Sequence, residues 1–384
     1  MNRPSDKDEG PRLESPAFLQ DLLAGHFGGV ERTIHAIAQS TARHGIETEV
    51  LSLSRTPDEA TRPLDEHMAT KAKLDFELAS TGFSREVFRR FRVLSAKADL
   101  IHYHFPWPLM DVVHFQSRHG KPAVVTYHSD IVKQRLILPF YRPLMTRFLA
   151  DVDAIVATSP DYLRSSPVLA AFRAKAKVIP IGIDEGAYPS PTEADNDWCR
   201  STIPEPFVLF VGVLRYYKGL DVLIQAAGQV RCKIVIAGSG PIERELRLQA
   251  ETLGRDNVIF LGEVSEPRKM ALLDNCLGFI FPSNQRSEAY GLSLVEAAMR
   301  GKPMVSCEIG TGTSYVNEAG QTGLVVPPSD PAGLAEAINR LIASPTEAAS
   351  WGRAARDRYA RLFTADRMGK SYAELYRQLG SRKG

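Results

Sequence analysis

The chain has 384 residues, of which 44% are hydrophobic and 24% are charged, and its formal net charge is +2. This composition is typical of a globular protein, and the length suits two domains of ordinary size better than one hydrophobic core. A net charge so close to zero argues against nucleic acid or another polyanion as the partner. The four cysteines are widely spaced and form no CxxC pair, which argues against a zinc site and a disulfide framework.

No apolar run approaches the roughly 20 residues that a membrane span needs, and the start of the chain lacks the pattern of a signal peptide. We therefore expect a cytoplasmic protein. Residues 131–150 contain four basic side chains and no acid, interleaved with large apolar ones. A basic, apolar helical stretch can lie on an anionic membrane, so we expect peripheral contact there; the alternative is that its apolar side belongs to the core.

In chain order, residues 1–14 are polar and predict a disordered N-terminus. Residues 15–24 have an apolar spacing that is closer to helical than to strand periodicity. Strands that alternate with helices indicate a parallel sheet covered on both faces, so 15–184 is predicted to be one α/β domain. Its predicted elements are a helix over 31–44 and strands over 48–53, 100–104, 123–127, 154–158 and 177–179.

Prolines at positions 189, 191, 204 and 206 mark residues 185–206 as a linker between domains. A second doubly wound α/β domain is predicted over 207–366, and the chain ends with a helix within 367–384. In sheets of this kind, ligands bind beyond the carboxyl ends of the strands. The strands predicted for the second domain are 207–212, 233–238, 258–262, 278–282 and 303–306.

Two glutamates eight positions apart, Glu288 and Glu296, follow one of these predicted strands. If a helix starts near Leu292, Glu288 lies in the loop before it and Glu296 lies about one turn inside. Backbone N–H groups around Tyr290 and Gly291 can then bind phosphate, and the two carboxylates can bind sugar hydroxyls. The alternative is an exposed acid in a loop and a second acid on the solvent face of an ordinary helix.

Arg215 and Lys218 come directly after the strand predicted over 207–212, where they can neutralise a diphosphate. Such charge would stabilise a leaving group as its negative charge grows. The alternative is a solvated basic turn. Gly28 and Gly29 permit close approach of the backbone to a ligand, although a pair of glycines is also typical of a simple turn.

Histidines form a second group of candidates. His128 follows the strand predicted over 123–127, so we expect it to point into a cleft and to act through hydrogen bonds or electrostatics rather than as a general base. The alternative is a core histidine whose ring is satisfied by the backbone. Asp130 is a weaker candidate for binding an acceptor hydroxyl. His102 and His104 share a face of one strand, and we favour structural or acceptor-pocket roles for them over a metal site.

Two short motifs need a separate interpretation. Gly238-Ser239-Gly240 follows a strand but lacks the third glycine of a dinucleotide fingerprint, because position 243 is a glutamate. We interpret it as part of a nucleotide pocket. Asp151 and Asp153 resemble a metal-binding DxD motif, but they precede a strand instead of following one, so they predict a helix-to-strand turn. No metal is expected.

Together these motifs resemble those of the retaining glycosyltransferases of family 4, which have the GT-B fold: α/β, with two doubly wound Rossmann-like domains facing a cleft. The resemblance extends over nearly the whole chain. Within the family, the chain is most similar to bacterial mannosyl- and rhamnosyltransferases of surface polysaccharide synthesis. The matching segments are 28–32, 127–130, 180–184, 210–219, 288–296, 301–303, 307–313 and 322–327.

The resemblance implies retaining transfer of mannose or rhamnose from a GDP-linked sugar to a saccharide or a polyprenyl-linked oligosaccharide, without a cofactor or a metal. It assigns the donor sugar to Glu288 and His128, the ribose to Glu296 and the diphosphate to Arg215 and Lys218. The departing phosphate is implied to help deprotonate the acceptor, and the last helix to pack back onto the first domain. The other residues implied to bind substrate are Gly28, Gly29, Gly212, Gly238, Ala289, Tyr290, Gly291, Leu292 and Asp130.

Other functions stay open. An epimerase or a hydrolase of the same fold would act on the nucleotide sugar without an acceptor. A non-catalytic nucleotide-sugar binder is suggested by the atypical segment 15–24, where the family has a strand that runs directly into the Gly-Gly loop. An oxidoreductase ranks lower, because the third glycine of the dinucleotide fingerprint is absent.

Overall fold

The computed structural model describes residues 13–18, 29–57, 61–78, 81–131 and 138–381. The strands are β1 (Leu13–Phe18), β2 (Ile46–Ser54), β3 (Arg62–Leu64), β4 (His67–Lys73), β5 (Phe76–Leu78), β6 (Thr81–Phe83), β7 (Ile101–Phe105), β8 (Ala123–Tyr127), β9 (Ala154–Ala157), β10 (Ala176–Val178), β11 (Phe207–Val211), β12 (Lys233–Ala237), β13 (Val258–Gly262), β14 (Phe279–Phe281), β15 (Met304–Cys307) and β16 (Gly323–Val326). The α-helices are α1 (Gly29–Ala42), α2 (Glu86–Lys97), α3 (Pro108–Ser117), α4 (Leu138–Asp151), α5 (Pro160–Ser165), α6 (Pro167–Ala170), α7 (Glu193–Thr202), α8 (Leu220–Ala226), α9 (Glu243–Thr252), α10 (Glu266–Asn275), α11 (Leu292–Met299), α12 (Gly312–Val316), α13 (Pro331–Ala343), α14 (Pro345–Leu362) and α15 (Ala365–Gly380).

The chain divides into two compact units. The first unit lies within Met1–Thr158, Ser166–Gly182 and Ala365–Gly384, and the second unit lies within Ser159–Ser165 and Ile183–Thr364. Each unit has its own sheet, and helices connect most of the successive parallel strands in both. The α/β class predicted from the alternation of helices and strands is therefore what the structure has.

The sheet of the first unit has the strand order β10-β9-β8-β7-β1-β2-β4-β3. Neighbouring strands in it are parallel, except that β3 pairs with β4 in the antiparallel sense. Strands β5 and β6 form a separate antiparallel hairpin. Fully buried aromatic side chains pack in this unit, among them Tyr103, Phe105, Trp107, Tyr127 and Phe148.

Strand β1 corrects the expectation of helical periodicity over residues 15–24. It pairs in parallel with β2 from Leu13 to Phe18, and Ala17 also pairs with His102 of β7. A segment between two strands satisfies its backbone N–H and C=O groups on both sides, and this outweighs the local apolar spacing. Leu13 and Glu14, which were predicted to be disordered, belong to the same strand. Residues 1–12 and 19–24 lie outside the described residues.

Helix α15 belongs to the first unit although it ends the chain. It packs against α1, where an added Cβ on Gly369 would lie 2.6 Å from backbone atoms of Ser40. Glycine therefore permits this close approach of two helices. Helix α15 also reaches the buried strands: the hydroxyl of Tyr372 lies 2.8 Å from Thr126 Oγ1, and that of Tyr376 lies 2.7 Å from His102 Nδ1.

Residues 185–206 differ from the predicted linker, because they are part of the second unit and contain α7. A capping box starts this helix: the side chain of Thr192 accepts from Asp195 N, and the Asp195 carboxylate accepts from Thr192 N. The helix lies against α10, and the guanidinium of Arg268 stands 4.5 Å over the ring of Trp198. The prolines therefore flank a packed helix instead of making an open connection.

The sheet of the second unit is entirely parallel and has the order β13-β12-β11-β14-β15-β16. The chain winds outward from β11 to β13 and then from β14 to β16, so the direction of winding reverses between β11 and β14. At such a switch point, the loops after the two strands diverge and leave a crevice for a ligand. Strand β16 was not among the predicted strands, whereas the other five lie within one residue of their predicted bounds.

Helix α4 contains residues 138–150 of the stretch 131–150, and residues 132–137 lie outside the described residues. Phe148 is fully buried, whereas Phe140 is 86% exposed and Arg142 is exposed as well. The helix therefore has a core side and an exposed side with an aromatic ring and a cation. Across the described ranges, no helix combines the length and the apolar character that crossing a bilayer requires.

Candidate functional site

Two loops frame the switch point of the second unit. The first follows β11 and contains a short 3-10 turn, Tyr216–Lys218, and the second follows β14 and ends at α11. The loops touch at Gly219, whose φ is +66° and whose added Cβ would lie 2.0 Å from the carbonyl oxygen of Pro282. Any larger residue would push the loops apart, so glycine sets their spacing.

Lys218 and Glu288 meet between these loops. Lys218 Nζ lies 2.5 Å from Glu288 Oε2, and the two side chains are only 12% and 11% exposed. Ser283 Oγ donates to the same carboxylate oxygen at 3.4 Å, and the Lys218 ammonium lies 4.8 Å from the ring centroid of Phe281. The structure thus brings together the cation predicted to bind a diphosphate and the acid predicted to bind a sugar.

The rest of the first loop is more open. Arg215 is exposed and precedes the 3-10 turn. Burial raises the pKa of Tyr217 to about 12, with the charge of Glu288 adding to the rise and Arg215 opposing it. The Tyr217 hydroxyl therefore keeps its proton at neutral pH and can donate a hydrogen bond.

Helix α11 begins at Leu292, where the sequence predicted a helix start. Gly291 precedes it with a φ of +87°, and an added Cβ there would lie 3.0 Å from the ring of Phe281, so glycine is required. Ala289 O accepts from Gly312 N at 2.8 Å, and Tyr290 is buried. The N–H groups in the first turn of an α-helix have no acceptor within the helix, which suits them to phosphate.

Glu296 lies in the second turn of α11 with its side chain 4% exposed, so the alternative that placed it on a solvent face is wrong. Its Oε1 lies 2.9 Å from Lys269 Nζ and 3.0 Å from the hydroxyl of Tyr188. Lys269 also pairs with Glu266 at 2.7 Å. Sequence reasoning missed Lys269 and Tyr188. The available signal was a lysine within the apolar part of a helix, since buried lysines are normally paired.

The glycines predicted to border the nucleotide lie where the carboxyl ends of β11 and β12 meet. Gly238 has a φ of +131°, and an added Cβ would lie 2.1 Å from the carbonyl oxygen of Gly212. Leu214 N donates to Ser239 O at 2.8 Å, and Ser239 Oγ donates to Glu263 Oε1 at 2.5 Å. Tight contact between two backbone segments accounts for these glycines without a dinucleotide fingerprint.

His128 lies in the first unit, directly after β8. Its Nε2 lies 2.9 Å from His104 Nδ1, and its backbone N–H donates to Phe105 O. Burial lowers the pKa of His128 to about 4, so the ring is neutral at pH 7. Asp130 Oδ1 accepts hydrogen bonds from the hydroxyls of Tyr127 and Ser166, so this oxygen already has two partners within the protein.

Of the remaining predicted residues, some make structural contacts and Gly28 lies outside the described residues. His102 is structural: its Nε2 lies 2.7 Å from Thr126 Oγ1 and its Nδ1 bonds Tyr376. Gly29 begins α1. Asp151 and Asp153 form the turn between α4 and β9, and in the described part of the chain no three His, Cys, Asp or Glu side chains converge as metal ligands.

Two family models match the chain. Residues 200–358 match the model described as Glycosyl transferases group 1, and residues 27–186 match the model described as Glycosyltransferase Family 4. D-rhamnosyltransferase WbpZ of Pseudomonas aeruginosa is 50% identical over 348 residues, which are 91% of each chain. O-antigen chain mannosyltransferase C of Escherichia coli is 42% identical over 355 residues, which are 92% of this chain and 95% of that protein.

Solved structures bear on the fold. Sucrose-phosphate synthase from Thermosynechococcus elongatus superposes with a TM-score of 0.78 at 23% identity, over 97% of this chain and 100% of that one. HepE of Anabaena in complex with UDP-glucose gives a TM-score of 0.75 at 20% identity, over 96% of this chain and 100% of that one. These similarities confirm the predicted GT-B fold.

Proposed function

The chain belongs to the group 1 glycosyltransferases of family 4, and from this membership we propose that it transfers a mannose- or rhamnose-type sugar from a nucleotide diphosphate sugar to a saccharide acceptor in surface polysaccharide synthesis. The observation that carries the proposal is the contact between Lys218 and Glu288 at the switch point of the second unit. An ammonium for phosphate and a carboxylate for hydroxyls stand side by side there. The names of the two relatives support the sugar class.

We assign the donor in parts. Lys218 and Arg215 bind the diphosphate, together with the first amides of α11. An ammonium has three donors, so Lys218 can keep Glu288 as a partner while it donates to a phosphate oxygen. Glu288 accepts from hydroxyls of the sugar, and Glu296 accepts from the ribose.

The proposed reaction retains configuration at the anomeric carbon. The bond from that carbon to the diphosphate oxygen breaks, and the acceptor hydroxyl bonds to the carbon from the same face. The acceptor proton passes to the departing phosphate oxygen, so the products are a glycoside and a nucleoside diphosphate. Lys218, Arg215 and the amides of α11 stabilise the charge that develops on the leaving group. Because protein groups supply the positive charge that stabilises the leaving group, the proposal includes no metal and no cofactor.

His128 is proposed to contact the donor sugar as a neutral hydrogen-bonding group. Burial keeps its pKa far below neutrality, so it contributes no positive charge at pH 7. A neutral imidazole still has one N–H donor and one acceptor nitrogen.

The nucleotide base is proposed to be guanine, and calorimetric titration with GDP and with UDP tests it. Clear preference for GDP supports a mannosyl or rhamnosyl donor. Preference for UDP would refute the base while leaving the reaction class intact. Binding of neither nucleotide to the folded protein would refute the site itself. Lys218→Met is the control, and it should weaken binding of either nucleotide about tenfold or more.

Product analysis separates the alternatives. With GDP-mannose or GDP-rhamnose and no acceptor, an epimerase would give an isomeric nucleotide sugar and a hydrolase would give free sugar. The proposed transferase needs a saccharide, and the anomeric configuration of its product, read by NMR, tests retention. The alternative of a non-catalytic binder was suggested by an atypical first strand. Because β1 is a paired strand, that reason no longer applies.

A polyprenyl-linked acceptor at the inner face of a membrane is part of the proposal, and it would require peripheral contact. Phe140 and Arg142 on α4 supply an exposed aromatic ring and an exposed cation for it. Pelleting with vesicles that contain anionic lipid tests this contact. The pair of changes Phe140→Ser and Arg142→Gln should reduce pelleting, and unchanged pelleting would exclude α4 as the contact.

A further inference from the structure

Four polar side chains line one face of two buried strands in the first unit. His102 and His104 alternate along β7, His104 is the register partner of Thr126 on β8, and His128 follows two residues after Thr126. His102 is held on both sides, by Thr126 and by Tyr376 of α15. His104 is held on one side only, by His128. The two histidines therefore differ in how completely their ring nitrogens are used.

The bond between His104 and His128 contains a single proton. Burial lowers the pKa of both rings, to about 4 for His128 and well below the ordinary value for His104, so both are neutral. Nδ1 of His104 and Nε2 of His128 are 2.9 Å apart, and one must donate while the other accepts. If His128 donates, the proton of His104 sits on its own Nε2. If His104 donates, the proton of His128 sits on its Nδ1.

The buried nitrogen of His104 distinguishes these two arrangements. Nε2 of His104 is fully buried and has no hydrogen-bond partner among the described residues. A proton there would be a buried N–H without an acceptor, which folded proteins avoid more strictly than an unused acceptor. The arrangement in which His104 donates leaves only a bare lone pair at that position.

We propose that His104 is a positioning residue that fixes His128 as the tautomer protonated on Nδ1. His128 then offers an N–H donor at Nδ1 and no lone pair for a substrate, because its Nε2 accepts from His104. This tautomer can donate to a sugar hydroxyl oxygen or to an anionic oxygen, and it cannot remove a proton from an acceptor. The inference rests on the proposed function only for the part that assigns His128 to the donor sugar.

NMR of the full-length protein with ring-¹⁵N histidine tests the tautomer directly, because protonated and bare ring nitrogens resonate far apart. The signals of His128 are identified by their loss in His128→Gln. We expect Nδ1 protonated and Nε2 bare in the unaltered protein. The opposite pattern, or an average of the two, would overturn the proposal without reference to activity.

Variants of His104 test the cause. In His104→Asn, the amide nitrogen replaces Nδ1 as a donor, so the tautomer should be retained. In His104→Leu the donor is removed, and the signals of His128 should change to the other tautomer or to a mixture. Unchanged signals in the leucine variant would refute the role of His104. If that variant does not fold, the spectrum of the unaltered protein still decides the tautomer.

Transfer kinetics separate this inference from the proposed function. His104→Leu should lower kcat about tenfold, roughly the value of one hydrogen bond, with a smaller change in KM, and His104→Asn should recover most of it. His119→Gln is the matched control, since His119 precedes β8 and lies at the opposite end of that strand from His128. If the leucine variant changes the tautomer and leaves kcat unchanged, the tautomer assignment stands and the proposed role of His128 in transfer fails.

Discussion

Replacing Glu288 by glutamine should separate binding of the diphosphate from transfer of the sugar. Oε2 of Glu288 lies 2.5 Å from Lys218 Nζ, and both side chains are about one-tenth exposed. The amide keeps a hydrogen bond to the ammonium but removes the carboxylate's negative charge, whose repulsion of a bound diphosphate is worth about 1 kcal/mol. Without that negative charge beside the diphosphate, Glu288→Gln should bind GDP about fivefold more tightly. Transfer should fall about 100-fold or more, since the sugar loses a charged acceptor.

Two measurements on the same protein decide this prediction. Calorimetry gives the affinity for GDP, and initial rates with a radiolabelled donor give the rate of transfer. Glu318→Gln is the control, because Glu318 pairs with Arg358 elsewhere in the second unit. Weaker GDP binding by Glu288→Gln would mean that the carboxylate supports the nucleotide. Near-normal turnover would refute its role in binding the sugar.

Three further predictions concern stability. Lys269→Met removes the cation that pairs with Glu296, whose side chain is 4% exposed. The free energy of unfolding should fall by about 3–5 kcal/mol, because a buried charge is left unpaired. An unchanged midpoint in a urea titration would contradict this. Burial raises the pKa of Asp111 from 3.8 to about 8. Between these two pH values the folded protein holds a proton that the unfolded chain has released. The free energy of unfolding should therefore fall by up to about 1.4 kcal/mol per pH unit as the pH rises from about 4 to 8. Asp111→Asn should lose this slope, and pH profiles of the melting temperature that run parallel would refute it. Tyr376→Phe removes the hydroxyl bonded to His102 Nδ1 and should lower the free energy of unfolding by about 1–3 kcal/mol. The same urea titration should then show a lower midpoint, and an unchanged midpoint would contradict the prediction.

Most strands of both sheets could be predicted from sequence because their apolar runs are unbroken. Strand β8 has the predicted bounds, Ala123–Tyr127, and so does β13, Val258–Gly262. Strands β3 to β6 were missed, since β3 and β5 are three exposed residues each and β4 contains Lys71 and Lys73. Strand β1 was missed for a different reason: its conformation depends on the strands at either side, and local spacing does not contain that information.

The positions of the site residues relative to the strand ends could also be predicted. Arg215 and Lys218 after β11, and Glu288 before α11, follow from the pattern of strand, loop and helix. Their pairing could not be predicted, because Lys218 and Glu288 are 70 positions apart and meet only through the order of β11 and β14 in the sheet. The same holds for Lys269 with Glu296, which are 27 positions apart.

The place of α15 in the first unit has a consequence for synthesis of the chain on the ribosome. Tyr372 and Tyr376 bond to side chains that were made 246 and 274 residues earlier. The residues of the second unit end at Thr364, so the part encoded in the middle can finish folding while the part encoded first is still incomplete. A nascent chain that stops before Ala365 would leave Thr126 and His102 without these tyrosines, and it would emerge with one finished unit and one uncovered sheet.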